Sequence, residues 1–319
     1  MRARARLAAA AAGLAALALA GAPAADASFP GGNGRIAFAR PGQGIWDVNP
    51  DGTGLRRLSP PEGGCDAAPS YSPSGAQLAF ESCDPASHTT GLFTMNAADG
   101  SGRAQSVAQT GGRPYPQAPA FAATGTQLVF QAGLDTTRIF ISNLDGTGVH
   151  RITSVGYGPR VSPQGALAFT VPQHPQQWCN STELDDVYVQ AAAAGSPRAR
   201  RLTKSYGSYD PDWSPDGTRI VFTRDPRVSK KDFRLVRRLH DCRPLLRRAS
   251  AYGQEVMTMD ANGHALRRVT TSGGSSPVWS PDGTQIAYER SGWIWIVGVD
   301  GSNRHRIIQG SDPDWQPLR

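Results

Sequence analysis

This sequence predicts an all-β fold, a six-bladed β-propeller built from four-stranded antiparallel blades. Three observations carry that expectation. A string of the form aromatic-Ser-Pro-Asp-Gly followed by alternating apolar residues recurs, most clearly as WSPDGTRIVF from Trp213 to Phe222 and WSPDGTQIAY from Trp279 to Tyr288. A second element, a glycine-marked turn running into a short basic strand, occurs six times. The last residues of the chain supply a strand that the first repeat lacks, so the ring is expected to close by pairing the C-terminal strand with the N-terminal blade.

Each blade can be read in order. Its first strand ends in the aromatic before Ser-Pro, and its second is the Ile-x-Phe piece; YSPSGAQLAF (Tyr71 to Phe80), FAATGTQLVF (Phe121 to Phe130) and VSPQGALAF (Val161 to Phe169) are looser copies. The third is a β-rich run beginning at Ile45, Leu92, Ile139, Val187, Val256 and Ile294. The fourth follows the marker glycine, as in NPDGTGLRRLS from Asn49, NLDGTGVHRIT from Asn143 and DANGHALRRVT from Asp260. Asp-Gly and Asn-Gly between alternating strands are strong hairpin signals, because the turn needs a positive φ that glycine adopts without a steric penalty. The marker glycines Gly52, Gly100, Gly146, Gly195, Gly263 and Gly301 are 48, 46, 49, 68 and 38 residues apart, a period proper to repeat architectures. Short four-stranded units repeated six times describe a propeller.

The ends fit together. PGGNGRIAF from Pro30 has a second strand with no first strand before it, and DPDWQPLR from Asp312 is a first strand with nothing after it. These strings resemble the TolB-type propeller repeat, a WD-repeat-like family, across essentially the whole chain after its leader, with DPDWSPDG from Asp210 to Gly217 the nearest copy. The resemblance implies an exported propeller that binds other proteins. TolB-type proteins carry an α/β domain ahead of the propeller, and this chain is expected to lack it.

Composition agrees. The chain has 319 residues with 33 Lys+Arg against 26 Asp+Glu, a formal charge of +7, and is rich in turn formers at 36 Gly and 25 Pro. Disorder, collagen and coiled coil are excluded on these numbers. Residues 1–27 read as a secretory signal: Arg2, Arg4 and Arg6, an apolar run from Leu7 to Ala20, then the small-x-small site Ala25-Asp26-Ala27. Residues 28–319 then form a single propeller, with no integral membrane segment in the mature chain, expected to be monomeric and secreted or periplasmic. Four cysteines in an oxidising compartment read as two disulfides with three possible connectivities. Cys65 with Cys83 would close a local loop, and Cys179 with Cys242 would join the two longest loops of adjacent blades; this pairing is the favoured one.

Within a blade the connections alternate between the two ends of the ring. The Ser-Pro-Asp-Gly and Asp-Gly turns fall at one end and are short. From the aromatic closing strand two to the start of strand three the separations are 7, 12, 9, 18, 34 and 6 residues. Uneven loops on a rigid scaffold are where binding usually sits. The longest is a basic insertion at 224–252; from Arg224 to Arg248 it holds ten Lys+Arg and three Asp. Its candidate binding residues are Lys230, Lys231, Arg234, Arg237, Arg238, Arg247 and Arg248, with Trp178 as a loop aromatic. Such a patch suits a protein or an anionic envelope polymer. The competing reading is structural, because Glu183, Asp185 and Asp186 in the neighbouring loop could pair with those arginines. Nucleic acid is not an expected partner, since the patch lacks an aromatic series for base stacking.

Catalytic signals are thin: no GxSxG, HExxH, Walker A or strand-following GxGxxG occurs. No cofactor and no metal site are expected. His150, His264 and His305 fall at the Asp-Gly turns, whereas His88, His174 and His240 fall in variable loops. Asp210 and Asp312, each before proline, are read as braces of the innermost strand. The resulting expectation is a non-catalytic exported propeller that binds protein or associates with the cell envelope through its variable-loop face. The alternative is a carbohydrate-active lyase or hydrolase on an acidic glycan, with His174 or His240 as acid or base.

Overall fold

A computed structural model describes residues 30–60, 64–84, 89–108, 115–133, 136–173, 184–190, 198–239 and 253–319. Six four-stranded antiparallel sheets stand around one axis. Blade 1 takes β24 (Ser311–Leu318), β1 (Gly32–Arg40), β2 (Gly44–Val48) and β3 (Arg56–Arg57). Blade 2 is β4 (Ala67–Tyr71), β5 (Gln77–Asp84), β6 (Thr89–Asn96) and β7 (Ala104–Ala108). Blade 3 is β8 (Gln117–Phe121), β9 (Gln127–Ala132), β10 (Arg138–Asn143) and β11 (His150–Arg151). Blade 4 is β12 (Tyr157–Val161), β13 (Leu167–Pro172), β14 (Asp185–Gln190) and β15 (Arg200–Arg201). Blade 5 is β16 (Ser208–Trp213), β17 (Arg219–Arg224), β18 (Glu255–Asp260) and β19 (Arg267–Arg268). Blade 6 is β20 (Ser275–Trp279), β21 (Gln285–Arg290), β22 (Trp293–Gly298) and β23 (His305–Gln309). The expected closure is present: β24 pairs antiparallel with β1, Ile36 opposite Trp315 and Ala37 opposite Asp314.

The blades pack through a two-residue alternation in strand two. Phe38, Phe80, Phe130, Phe169, Phe222 and Tyr288 turn toward the preceding blade, while Ala37, Ala79, Val129, Ala168, Val221 and Ala287 turn toward the following one. Successive side chains of a strand face opposite ways, so a large face meets a small one at all six interfaces. Phe80, for example, lies with Ile45 and Leu58 of blade 1, whereas Ala79 lies with Phe121 and Phe130 of blade 3. Each buried aromatic contributes about 1.5–3 kcal/mol in surface withdrawn from water.

The turns behave as their residue types dictate. In the Asp-Gly turns, Asp51 Oδ1 accepts the Thr53 N–H at 2.9 Å and its hydroxyl at 2.7 Å, and Asp145 holds Thr147 at 3.0 and 2.6 Å. The residue ending the LRRL-type strand has a defined task. Ser59, Thr153, Thr203 and Thr270 accept the backbone N–H of Ile45, Ile139, Val187 and Val256 at 2.8–3.0 Å. The hydroxyl thus pairs the buried donor where strand three begins, beyond the reach of the two-residue strand four.

Candidate functional site

At the axis, each innermost strand carries an x-Pro pair, and in all six blades the residue before proline has a positive φ: Ala68 (47°), Ala118 (47°), Gly158 (59°), Asp210 (50°), Ser276 (47°) and Asp312 (51°). The ladder register shifts at this point in the innermost strands of blades 2 to 6, which makes it a β-bulge. The turned-in N–H is met from the preceding blade. Ala118 N–H donates to Glu81 Oε1 and Gly158 N–H to Gln131 Oε1, both at 2.7 Å, and Asp210 N–H donates to Thr170 Oγ1 at 3.3 Å. Asp210 in turn accepts the backbone N–H of Ser276, and Glu289 that of Asp312. Asp210 therefore braces the innermost strand of the next blade, whereas the bond made by the Asp312 side chain is to its neighbour Ser311.

These pairs line an axial cavity of about 130 Å3 whose charged lining residues are Arg160, Asp210 and Asp312. One step outward, Asp212 Oδ2 accepts the N–H of Trp279 at 2.9 Å and Asp314 Oδ2 that of Tyr71 at 2.7 Å. Burial raises the Asp210 carboxyl to about 6, with the charge of Asp312 adding to it and Arg160 opposing. Burial likewise takes Asp212 to about 6 and Asp314 to about 7. Arg160 Nε stands 3.8 Å from Asp212 Oδ1. This concentration of acids was missed in the sequence, although Asp-Pro-Asp-Trp occurs there twice; the strings lie in blades 5 and 1, and only ring closure brings them together.

The basic insertion contains a helix, α1 (Lys230–Leu239), where the sequence reads as loop. Ser229 and Asp232 start it: the Ser229 N–H and hydroxyl donate to Asp232 Oδ2 at 3.0 and 2.6 Å, the reciprocal half of a capping box. Its inner face buries Val236 against Leu184 and stacks Phe233 on Tyr206 with ring centroids 4.6 Å apart. The helix of blade 5 is thereby fastened over blade 4.

Its outer face is cationic. Lys230, Lys231, Arg234, Arg237 and Arg238 are all exposed; at 3.6 residues per turn they fall within an arc of about 120°. Among the described residues none of the five has a salt-bridge partner. Of the acids that could pair with the insertion, Asp185 accepts the Tyr157 hydroxyl at 2.6 Å, and Asp186 binds Arg201, Thr203 and the backbone of Ser205. Glu183, Trp178, Arg247 and Arg248 lie outside the described residues.

Cys65 and Cys83 form the expected local disulfide; Cys179 and Cys242 lie outside the described residues, as do His88, His174, His240 and the leader. His150 and His305 are exposed and open β11 and β23, just after their turns, with Nδ1 2.9 and 2.8 Å from the carbonyls of Gly148 and Asn303. Among the described residues no helix is long and apolar enough to cross a membrane.

No family model matches the chain. It is 25% identical over 274 residues to the Tol-Pal system protein TolB of Francisella tularensis subsp. mediasiatica, covering 79% of this chain and 54% of that protein. The chain thus spans about half the length of the curated relatives it matches. Among solved structures it superposes on TolB from Acinetobacter baumannii with a TM-score of 0.67 at 21% identity, over 89% of this chain and 67% of that one. It also superposes on an oligogalacturonate lyase in complex with manganese, with a TM-score of 0.51 at 14% identity, over 83% and 70% of the two chains. These structural likenesses show the fold alone; the resemblance read from the repeats stands on the TolB sequence match as well.

Proposed function

Starting from a chain similar to Tol-Pal system TolB proteins along most of its own length, we propose that it is an exported, non-catalytic β-propeller that binds a protein or an anionic polymer of the cell envelope through its variable-loop end. The exposed face of α1 supports this reading most. Five cations occupy one face, and Lys230 and Lys231 stand in the first turn, where the helix dipole disfavours positive charge. A helix selected for stability alone would not carry lysines there; a surface selected for an anionic partner would. Val236 and Phe233 dock the helix on Leu184 and Tyr206, which lowers the ordering entropy that opposes association.

The test is capture from an envelope extract of the producing organism, with the mature protein beside a variant in which Lys230, Lys231, Arg234, Arg237 and Arg238 are all replaced by Gln. A protein or polymer held by the wild type, shed by high salt and absent from the variant is the expected result, because contacts between exposed charges are screened by salt. Equal retention by both proteins, or by neither, would overturn the reading.

A further inference from the structure

The variable-loop end also has a hollow that the loop lengths themselves create. The two shortest strand-two-to-three separations, 6 residues from Tyr288 to Ile294 and 7 from Phe38 to Ile45, belong to neighbouring blades 6 and 1. Connections that short cannot fold over the seam, and a cavity of about 490 Å3 opens there, a size suited to a small molecule.

Its walls carry one cation and one carboxylate. The Arg40 guanidinium lies over the Trp46 ring at 4.7 Å and near that of Phe38 at 5.6 Å, and its Nε donates to the Gln309 carbonyl at 3.2 Å. Among the described residues its two terminal nitrogens have no hydrogen-bond partner and no carboxylate pairs with it, while burial lowers its pKa. An aromatic platform that orients a guanidinium and leaves its fork open is suited to a planar anion. Glu289 faces the same cavity. It accepts the Asp312 N–H, and its carboxyl is raised by burial and then by the charge of Asp312, so a cation brought beside it would be stabilised. Gln43, Gln309 and Ser311 supply neutral polar groups on the same walls.

We propose that this seam binds a small zwitterion of the amino-acid class, its carboxylate on the open fork of Arg40 and its ammonium on Glu289. A lone anion would meet only Arg40 and a lone cation only Glu289, whereas a zwitterion engages both of the charged groups that line the cavity. The site shares no residue with α1 and stands or falls apart from it.

Calorimetric titration of the mature protein with glycine, L-alanine, β-alanine and 4-aminobutyrate, beside acetate and methylammonium, tests this and reads the charge separation the site prefers. At least one zwitterion should bind, with the single-charge controls at least about tenfold weaker, since each of them lacks one of the two charge-assisted contacts. Arg40→Gln and Glu289→Gln should each weaken that zwitterion by a similar factor. Arg40→Lys keeps the charge without the fork, and circular dichroism of every variant checks that the ring is intact. No zwitterion binding to the wild type, or a zwitterion bound as tightly by the folded Arg40→Gln or Glu289→Gln protein as by the wild type, overturns the proposal.

Discussion

The carboxylate of Asp314 accepts the backbone N–H of Tyr71 at 2.7 Å, so the strand that ends the chain also fastens the innermost strand of blade 2. Asp212 makes the same bond to Trp279 at 2.9 Å. Both acids come from Asp-Pro-Asp-Trp strings, and both sit where an ionised carboxylate is costly.

Removing that acceptor leaves a buried donor unpaired. Asp314→Ala should lower unfolding free energy by about 1–3 kcal/mol, whereas Asp314→Asn, which still accepts, should lose far less at neutral pH. Urea denaturation of the three proteins checks the order.

The pH dependence has a definite sign. Asp210 and Asp212 titrate at about 6 and Asp314 at about 7 in the folded ring, above the unfolded value of about 3.9. Their contribution is complete below the unfolded value and is lost as pH rises through the folded values. The urea midpoint should therefore fall between about pH 4 and 7, and Asp314→Asn should flatten that fall. A midpoint constant over this range in the wild type would contradict the assignment.

The turn aspartates titrate the other way. The Thr53 hydroxyl, then its N–H, lower the Asp51 carboxyl, and Thr147 does the same for Asp145. Carboxyl carbon shifts in an NMR titration should put both midpoints below the ordinary value, and Thr147→Val should move Asp145 back up. These bonds favour folding above the unfolded value and are lost as pH falls through the lowered one.

Positive φ before the axial prolines is strained for residues with a Cβ. Ala68 and Ala118, both at 47°, should gain from glycine, which is free of the steric cost of about 1–2 kcal/mol but loses part of that gain to its unfolded-state entropy. Ala118→Gly is expected to raise the melting temperature and Ala118→Val to lower it.

The Cys65–Cys83 bridge spans a sequence separation of 18 residues. Replacing both cysteines by serine should cost about 3 kcal/mol in the chain-entropy account. Intact mass before and after reduction, with thiol counting, reports the bridge directly.

Much of this was legible because it is local. Ser59, Thr153, Thr203 and Thr270 close recurring strings, and the Ile-x-Phe pattern already says which residues of strand two are large and which small. The bulge was half legible: proline recurs two residues before each inner aromatic or its equivalent, but the positive φ ahead of it follows from crowding at the axis. Helix α1 was missed because a run dense in arginine reads as solvated loop until Leu184 and Tyr206, distant in sequence, offer Phe233 and Val236 a surface to cover.

By itself the sequence determined the number of blades, the order of their strands, the aromatics of the core and the strand that closes the ring. Turn chemistry and two-residue alternation act over a few residues, and a repeat states them again in every blade. Only the tertiary structure decided that Arg160 would stand among Asp210, Asp212 and Asp312, that α1 would turn its cations outward, and that Arg40 and Glu289 would line one hollow. Those meetings depend on how six blades share the circumference of a closed ring, and that geometry is a property of all the blades together.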